Sequence, residues 1–147
     1  MSGKIVIVDD DAIIRSLFQK FFSDAFQLFA AAEGYSALKL IKGEKPDLVF
    51  LDIDMPGLSG LDVLRNIKEA GLTPVVWMLT GKGQLEVITE AINLGAAGYL
   101  TKPFEVAKIR KIVDSILTPG AEKPSDRPWV VKRSGKPGPG KSGQENP

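Results

Sequence analysis

Two groups of carboxylates are set apart by their spacing. Asp9, Asp10 and Asp11 directly follow the apolar run Ile5–Val8, and Asp52 and Asp54 follow Leu48–Leu51. Further along, Thr80 and Gly81 follow Val75–Leu79, and Lys102 follows the weaker apolar stretch Ala97–Leu100. Carboxylates gathered at about 5 Å repel one another by roughly 3 kcal/mol at an effective dielectric near 20, so such a cluster takes up protons or binds a cation. The chain has no His and no Cys. With oxygen ligands alone the fitting ion is the hard cation Mg2+, which keeps some of its waters and leaves positions for a phosphate oxygen. Once the neighbours are neutralised, one carboxylate can attack phosphorus while a lysine and a threonine hydroxyl hold the phosphoryl oxygens. On this reading no general base is needed, because a carboxylate is expected to be ionised at neutral pH.

The same absences exclude other chemistry. Without His there is no Ser-His-Asp or Cys-His arrangement, no imidazole-ligated metal and no phosphohistidine carried by this chain. Without Cys there are no disulfides, and nothing requires an oxidising compartment. The 147 residues are 44% apolar and 25% charged, with a net charge of +1, a soluble globular composition with room for one ordinary domain. The longest apolar runs are far shorter than the roughly 20 residues that cross a bilayer. The acidic run at 9–11 arrives too early for a signal peptide, so a cytoplasmic location is expected.

Positioning these groups is the task of alternating elements. The runs Ile5–Val8, Leu48–Leu51, Val75–Leu79 and Ala97–Leu100 are continuous and not alternating, as in short strands buried on both faces, and Phe26–Ala31 is a more ambiguous fifth. Between them Ile14, Leu17, Phe18 and Phe21 recur at helical spacing, as do Ile109, Ile112, Val113 and Ile116, with weaker stripes through 37–41, 61–67 and 85–94. Strand and helix therefore alternate five times, which predicts an α/β fold with a doubly wound parallel sheet and right-handed crossovers. In such a sheet ligands bind beyond the carboxyl ends of the strands. Asp9, Asp10, Asp52, Asp54, Thr80 and Lys102 all fall at those ends.

In order and spacing, Val8-Asp9-Asp10, Leu51-Asp52-Ile53-Asp54-Met55-Pro56-Gly57, Leu79-Thr80-Gly81 and Tyr99-Leu100-Thr101-Lys102-Pro103-Phe104 resemble the response-regulator receiver domain of two-component signalling, over residues 4 to about 117. The resemblance implies a flavodoxin-like (βα)5 sheet of strand order 2-1-3-4-5. It implies Asp52 as phosphoacceptor, Asp10 as a direct Mg2+ ligand, Asp9 as a second metal-holding carboxylate acting through water, and Asp54 as a ligand through its backbone carbonyl. Thr80 and Lys102 would contact the phosphoryl group, Tyr99 would be the aromatic whose rotamer follows Thr80, and the Lys102–Pro103 bond would be cis. A sensor histidine kinase or phosphotransfer protein would be the donor, and the altered face would be read by a downstream protein. Asp54 and Lys82, two places beyond the acceptor and the threonine, flank the path of an attacking water.

Each residue also has an ordinary reading. Asp11 reads as a helix N-cap and not as a ligand. Thr80-Gly81 suits a strand-end turn, Lys102-Pro103 a solvated loop, and Tyr99 the core. Phe18, Phe21, Phe22, Phe26 and Phe29, with Trp77, read as core. Asp52-Ile53-Asp54 also resembles the Asp-x-Asp motif of haloacid-dehalogenase-type phosphatases, in which Asp54 would be a general acid. That family places the motif on its first strand, so the receiver order fits better. A binding module that has lost phosphorylation is the third reading, disfavoured because Asp10, Asp52, Thr80 and Lys102 are all present.

The last thirty residues differ in kind. Residues 1–117 carry a net charge of −2, whereas 118–147 carry +3 and include 11 Gly and Pro, the composition of a flexible tail. The domain boundary is therefore set at Leu117. With no effector-sized segment after it, the expectation is a stand-alone, chemotaxis-regulator-like protein. Residues 135–142 match the phosphate-loop pattern GxxxxGK[ST] letter for letter, but Pro137 and Pro139 remove backbone donors that a phosphate cradle needs. The apolar island Arg127–Arg133 is a candidate docking segment. Its bases form no organised stripe, so neither nucleic acid nor membrane is expected as a partner.

Overall fold

The computed structural model describes residues 3–81 and 85–118. Lys82 and the tail segments singled out above lie outside the described residues. Five strands and five helices alternate: β1 Lys4–Val8, α1 Ala12–Phe22, β2 Gln27–Ala31, α2 Gly34–Glu44, β3 Leu48–Asp52, α3 Gly60–Glu69, β4 Val75–Thr80, α4 Leu85–Asn93, β5 Gly98–Thr101 and α5 Val106–Leu117. The sheet is wholly parallel with order β2-β1-β3-β4-β5, as expected.

The continuous apolar runs have a direct cause: both faces of the sheet are covered. Val6, Val8, Val49, Leu51, Val76 and Met78 pack with Ala37 and Ile41 of α2, Val63 and Ile67 of α3, and Ile88 and Ala91 of α4. The residues between them in the strands, Ile5, Ile7, Leu48, Phe50, Trp77 and Leu79, pack with Phe18 and Phe22 of α1 and Ile109, Ile112 and Val113 of α5. Successive side chains of a strand point to opposite faces, so one apolar run feeds two cores. All five residues of β3, the central strand, are buried.

Two core expectations need correction. Phe21 is exposed, because the buried seam of α1 runs through Ile14, Phe18 and Phe22 at intervals of four, leaving Phe21 on its shoulder. Phe29, on the edge strand β2, and Phe26, just before it, pack against the core but are only half-buried. Trp77 is buried as expected, and Gly98 on β5 leaves room for its ring, for a Cβ there would lie 2.8 Å from Trp77 Cη2.

The helix starts bear on the site. Asp11 caps α1, its carboxylate accepting from the Ile13 N–H at 2.9 Å, and Ser59 caps α3 by accepting from the Asp62 N–H. Between β3 and α3 the chain turns through Gly57 at φ +78°, a conformation that favours glycine. Among the described residues no helix is long and apolar enough to cross a membrane.

Candidate functional site

Strand pairing carries the polar residues to one edge of the sheet. The ladder runs one residue beyond the apolar stretches: Asp52 pairs in register with Leu79 and Thr80 with Thr101, so both are the last residues of their strands. Asp9 follows β1 and is anchored by its N–H donating to the Ala31 carbonyl at 3.1 Å. Lys102 follows β5, and its backbone N–H donates to the Thr80 carbonyl at 2.8 Å. The Lys102–Pro103 bond is cis.

There Asp9, Asp10 and Asp52 each present a carboxylate oxygen within 4.8 Å of the others. Asp9 and Asp52 are buried while Asp10 is exposed, which leaves the cluster open to solvent on one side. Lys102 Nζ stands 3.0 Å from Asp9 Oδ2 and 3.6 Å from Asp52 Oδ1. Asp9 is further fixed by its Oδ1 accepting from the Asp11 N–H at 2.9 Å, and by Arg15, whose Nη1 donates to the Asp9 backbone carbonyl at 2.8 Å. Thr80 is buried, and its hydroxyl donates to the Gly81 carbonyl at 2.9 Å.

The electrostatics follow. Burial first, and the Asp9 charge second, push the Asp52 carboxyl up from 3.8 to about 7, against the opposing pull of Lys102 and of the Asp54 backbone N–H. Against the expectation of a fully ionised carboxylate, depth and a like charge both oppose the ionised form of Asp52 near neutral pH. Burial alone would lower the Lys102 ammonium. The hydrogen bond and charge of Asp9, with the charge of Asp52, outweigh that and hold it above its usual value, so it stays cationic. Three carboxylates and one ammonium leave an excess of two negative charges when all are ionised. An all-oxygen site of that charge, partly open to water, fits a hard divalent cation.

Asp9, Asp10, Asp52 and Lys102 are thus brought together, with Thr80 next to them at the end of β4. Asp54 lies two residues past β3, exposed, with its N–H toward the Asp52 carboxylate. Asp11 is the cap it was read to be. Tyr99, for which core packing was the ordinary reading, is exposed because β5 is an edge strand. Sequence reasoning missed Arg15, whose one clue is a cation one turn into the helix that follows the acidic run.

This arrangement has close counterparts. The response regulator receiver domain, as a family, matches residues 5–114. The chain belongs to that family. Over 118 residues the receiver is 39% identical to Sporulation initiation phosphotransferase F of Bacillus subtilis, covering 80% of this chain and 95% of the relative. It is 34% identical over 119 residues to the Chemotaxis protein CheY of Halobacterium salinarum, covering 80% and 99%. Among solved structures, the Vibrio cholerae chemotaxis protein CheY4 superposes with a TM-score of 0.73 at 26% identity, covering 80% of this chain and all of that one. This is a receiver domain of the two-component response regulators, and none of these comparisons favours the phosphatase reading.

Proposed function

We propose that this receiver domain takes a phosphoryl group onto the Asp52 carboxylate in a Mg2+-dependent reaction and passes the change on through protein contacts. The donor is a phosphohistidine on a sensor histidine kinase or a phosphotransfer protein, a reading supported by the likeness to a sporulation phosphotransferase and a chemotaxis protein. The observation that carries the reading is the grouping of Asp9, Asp10 and Asp52 within 4.8 Å, with Lys102 Nζ 3.6 Å from the Asp52 carboxylate.

Asp9, Asp10 and Asp52, with the Asp54 carbonyl, are the groups that would hold the ion. When bound, Mg2+ supplies positive charge that keeps Asp52 ionised and offsets the charge of the phosphoryl oxygens. Asp52 is the nucleophile. One of its oxygens bonds to phosphorus as the P–N bond to the donor imidazole breaks, and the imidazole departs with the electron pair and takes up a proton. Lys102, cationic throughout, is already beside that oxygen and turns to a phosphoryl oxygen. Thr80 leaves the Gly81 carbonyl to donate to another phosphoryl oxygen, and Tyr99 follows its movement. The unphosphorylated protein already samples the altered state, and phosphorylation selects it by these added contacts. Apart from phosphorylating itself from a small donor and shedding that group, the chain turns over no substrate.

The test is an intact-mass spectrum after incubation with acetyl phosphate, with and without Mg2+, alongside Asp52→Asn. One Mg2+-dependent phosphoryl adduct that decays slowly and is absent in the variant is expected. Steady phosphate release would restore the phosphatase reading, and no adduct under any condition would leave a binding module.

A further inference from the structure

Two glycines near the acceptor lack a side chain for reasons of space alone. Neither Gly34 nor Gly60 has the left-handed backbone of Gly57, so an L-residue would meet no conformational barrier at either. A Cβ on Gly60 would lie 2.2 Å from the Asp52 carbonyl oxygen, 2.9 Å from Ile53 Cα and 3.0 Å from the Asp52 carbonyl carbon. A Cβ on Gly34, the first residue of α2, would lie 2.6 Å from both Cβ and the carbonyl oxygen of Leu58. The loop between β3 and α3 is thus pinned where it returns. Leu58 rests against the start of α2, and Gly60, the first residue of α3, rests on the peptide of Asp52.

The geometry points to Gly60 and Gly34 as positioning residues for Asp52: by close backbone approach they lock the 53–59 loop, and through it set where the acceptor carboxylate and the Asp54 peptide stand. The inference rests on the phosphoacceptor reading above. Gly60 is held from two sides. Its N–H donates to the Ile53 carbonyl at 3.0 Å, while the Ile53 N–H donates to the Leu79 carbonyl at 3.0 Å and so ties the loop to β4. On the other side Val63, Leu64 and Ile67 seat α3 in the core, and the Ser59 cap fixes its first turn. Ordinary van der Waals contact begins at 3.4 Å, so a methyl group at Gly60 demands a separation of about 1.2 Å from the Asp52 carbonyl. Neither the core helix nor the central strand yields freely, so the displacement is shared. Even a third of it approaches the roughly 0.5 Å within which a reacting group must be held, and a misplacement of about 1 Å costs on the order of a hundredfold in rate.

The test uses the full chain with Gly60→Ala, Gly34→Ala and, as control, Gly43→Ala, a helical position with nothing within 4 Å of the added Cβ. Three quantities are read: the Mg2+ concentration for half-saturation by amide NMR shifts, the rate of adduct formation from acetyl phosphate at saturating Mg2+, and stability in urea. Gly60→Ala is expected to raise the Mg2+ half-point about fivefold and slow adduct formation about tenfold. Gly34→Ala shifts both in the same direction by about twofold, and Gly43→Ala shifts neither. If Gly60→Ala and Gly34→Ala lose stability yet keep the wild-type Mg2+ half-point and rate, the glycines serve packing alone and the inference is wrong. Should Gly60→Ala fail to fold, unchanged values in Gly34→Ala overturn it equally. A wild-type protein that takes no adduct, while Gly60→Ala still raises the Mg2+ half-point, would remove the phosphoacceptor reading and leave the positioning role standing.

Discussion

Replacing Asp52 with asparagine should make the protein more stable while abolishing its proposed chemistry. The carboxyl is raised from 3.8 to about 7 in the folded state, chiefly by burial and by the Asp9 charge. A group whose folded value lies above its unfolded one favours the fold where it is protonated. Its contribution is therefore complete below about pH 4, declines as the pH rises toward 7, and is lost above that. A rise of that size disfavours the ionised, folded protein at pH 8 by on the order of 4 kcal/mol. Asp52→Asn is neutral at every pH and nearly isosteric, and it loses the pairing with Lys102 Nζ at 3.6 Å. The net gain at pH 8 is therefore expected at about 2–4 kcal/mol, narrowing toward zero below about pH 4. Urea unfolding followed by far-UV circular dichroism from pH 4 to 9 with a chelator present measures it, and the difference between the two proteins cancels the titrating groups remote from Asp52. Added Mg2+ should stabilise the wild type and close the gap, because a ligand that binds only the folded state stabilises it by mass action. A gap that does not change with pH, or a variant less stable than wild type at pH 8, would refute the reasoning.

Three other perturbations separate the roles at the site. Lys102→Met removes the ammonium 3.0 Å from the buried Asp9, and should lower stability by about 2–3 kcal/mol at pH 8, as read by the same urea titration. Thr80→Val keeps shape and loses the hydroxyl that donates to Gly81. It should change stability by no more than about 1 kcal/mol and still take an adduct, while the amide shifts around Tyr99 that accompany phosphorylation disappear. Asp54→Ala should alter the decay rate of the adduct several-fold and leave its formation from acetyl phosphate within about twofold, checked by mass spectra over time; an unchanged decay would remove Asp54 from the path of the attacking water.

The fold was legible because residue type and burial agree along the strands. Runs such as Val75–Leu79 have no polar alternation, and a sheet covered on both faces requires none. The ends of those strands were less legible, for a chemical reason. Asp52 and Thr80 read as loop residues because they are polar, yet the backbone ladder continues through them and so delivers their side chains to the site. Asp11 was legible as a cap, since its environment is local. Asp52's proton was not, because its affinity depends on depth and on Asp9, 43 positions away in the chain. Periodicity placed Phe21 in the stripe of α1 with Ile14, Leu17 and Phe18, and only the placement of β1 and α5 selects Phe22 in its stead. Arg15 and Gly60 act on backbone atoms, which no residue spacing records.

The sheet is mechanically graded from its middle to its rim. β3 is bonded to β1 on one side and β4 on the other and is sunk between both cores, whereas β5 is bonded to β4 alone and carries exposed Tyr99. On the proposed reading a load applied at Asp52 acts on a stator, since the strand beneath it is paired along both edges and buried on both faces. The proposed movement is drawn toward it from the other side of the sheet, through Thr80 at the tip of β4 and Lys102 just past β5. Because Thr80 and Lys102 stand on the β4–β5 side and the β2 rim carries neither, the proposed signal would run from the centre toward the β5 rim.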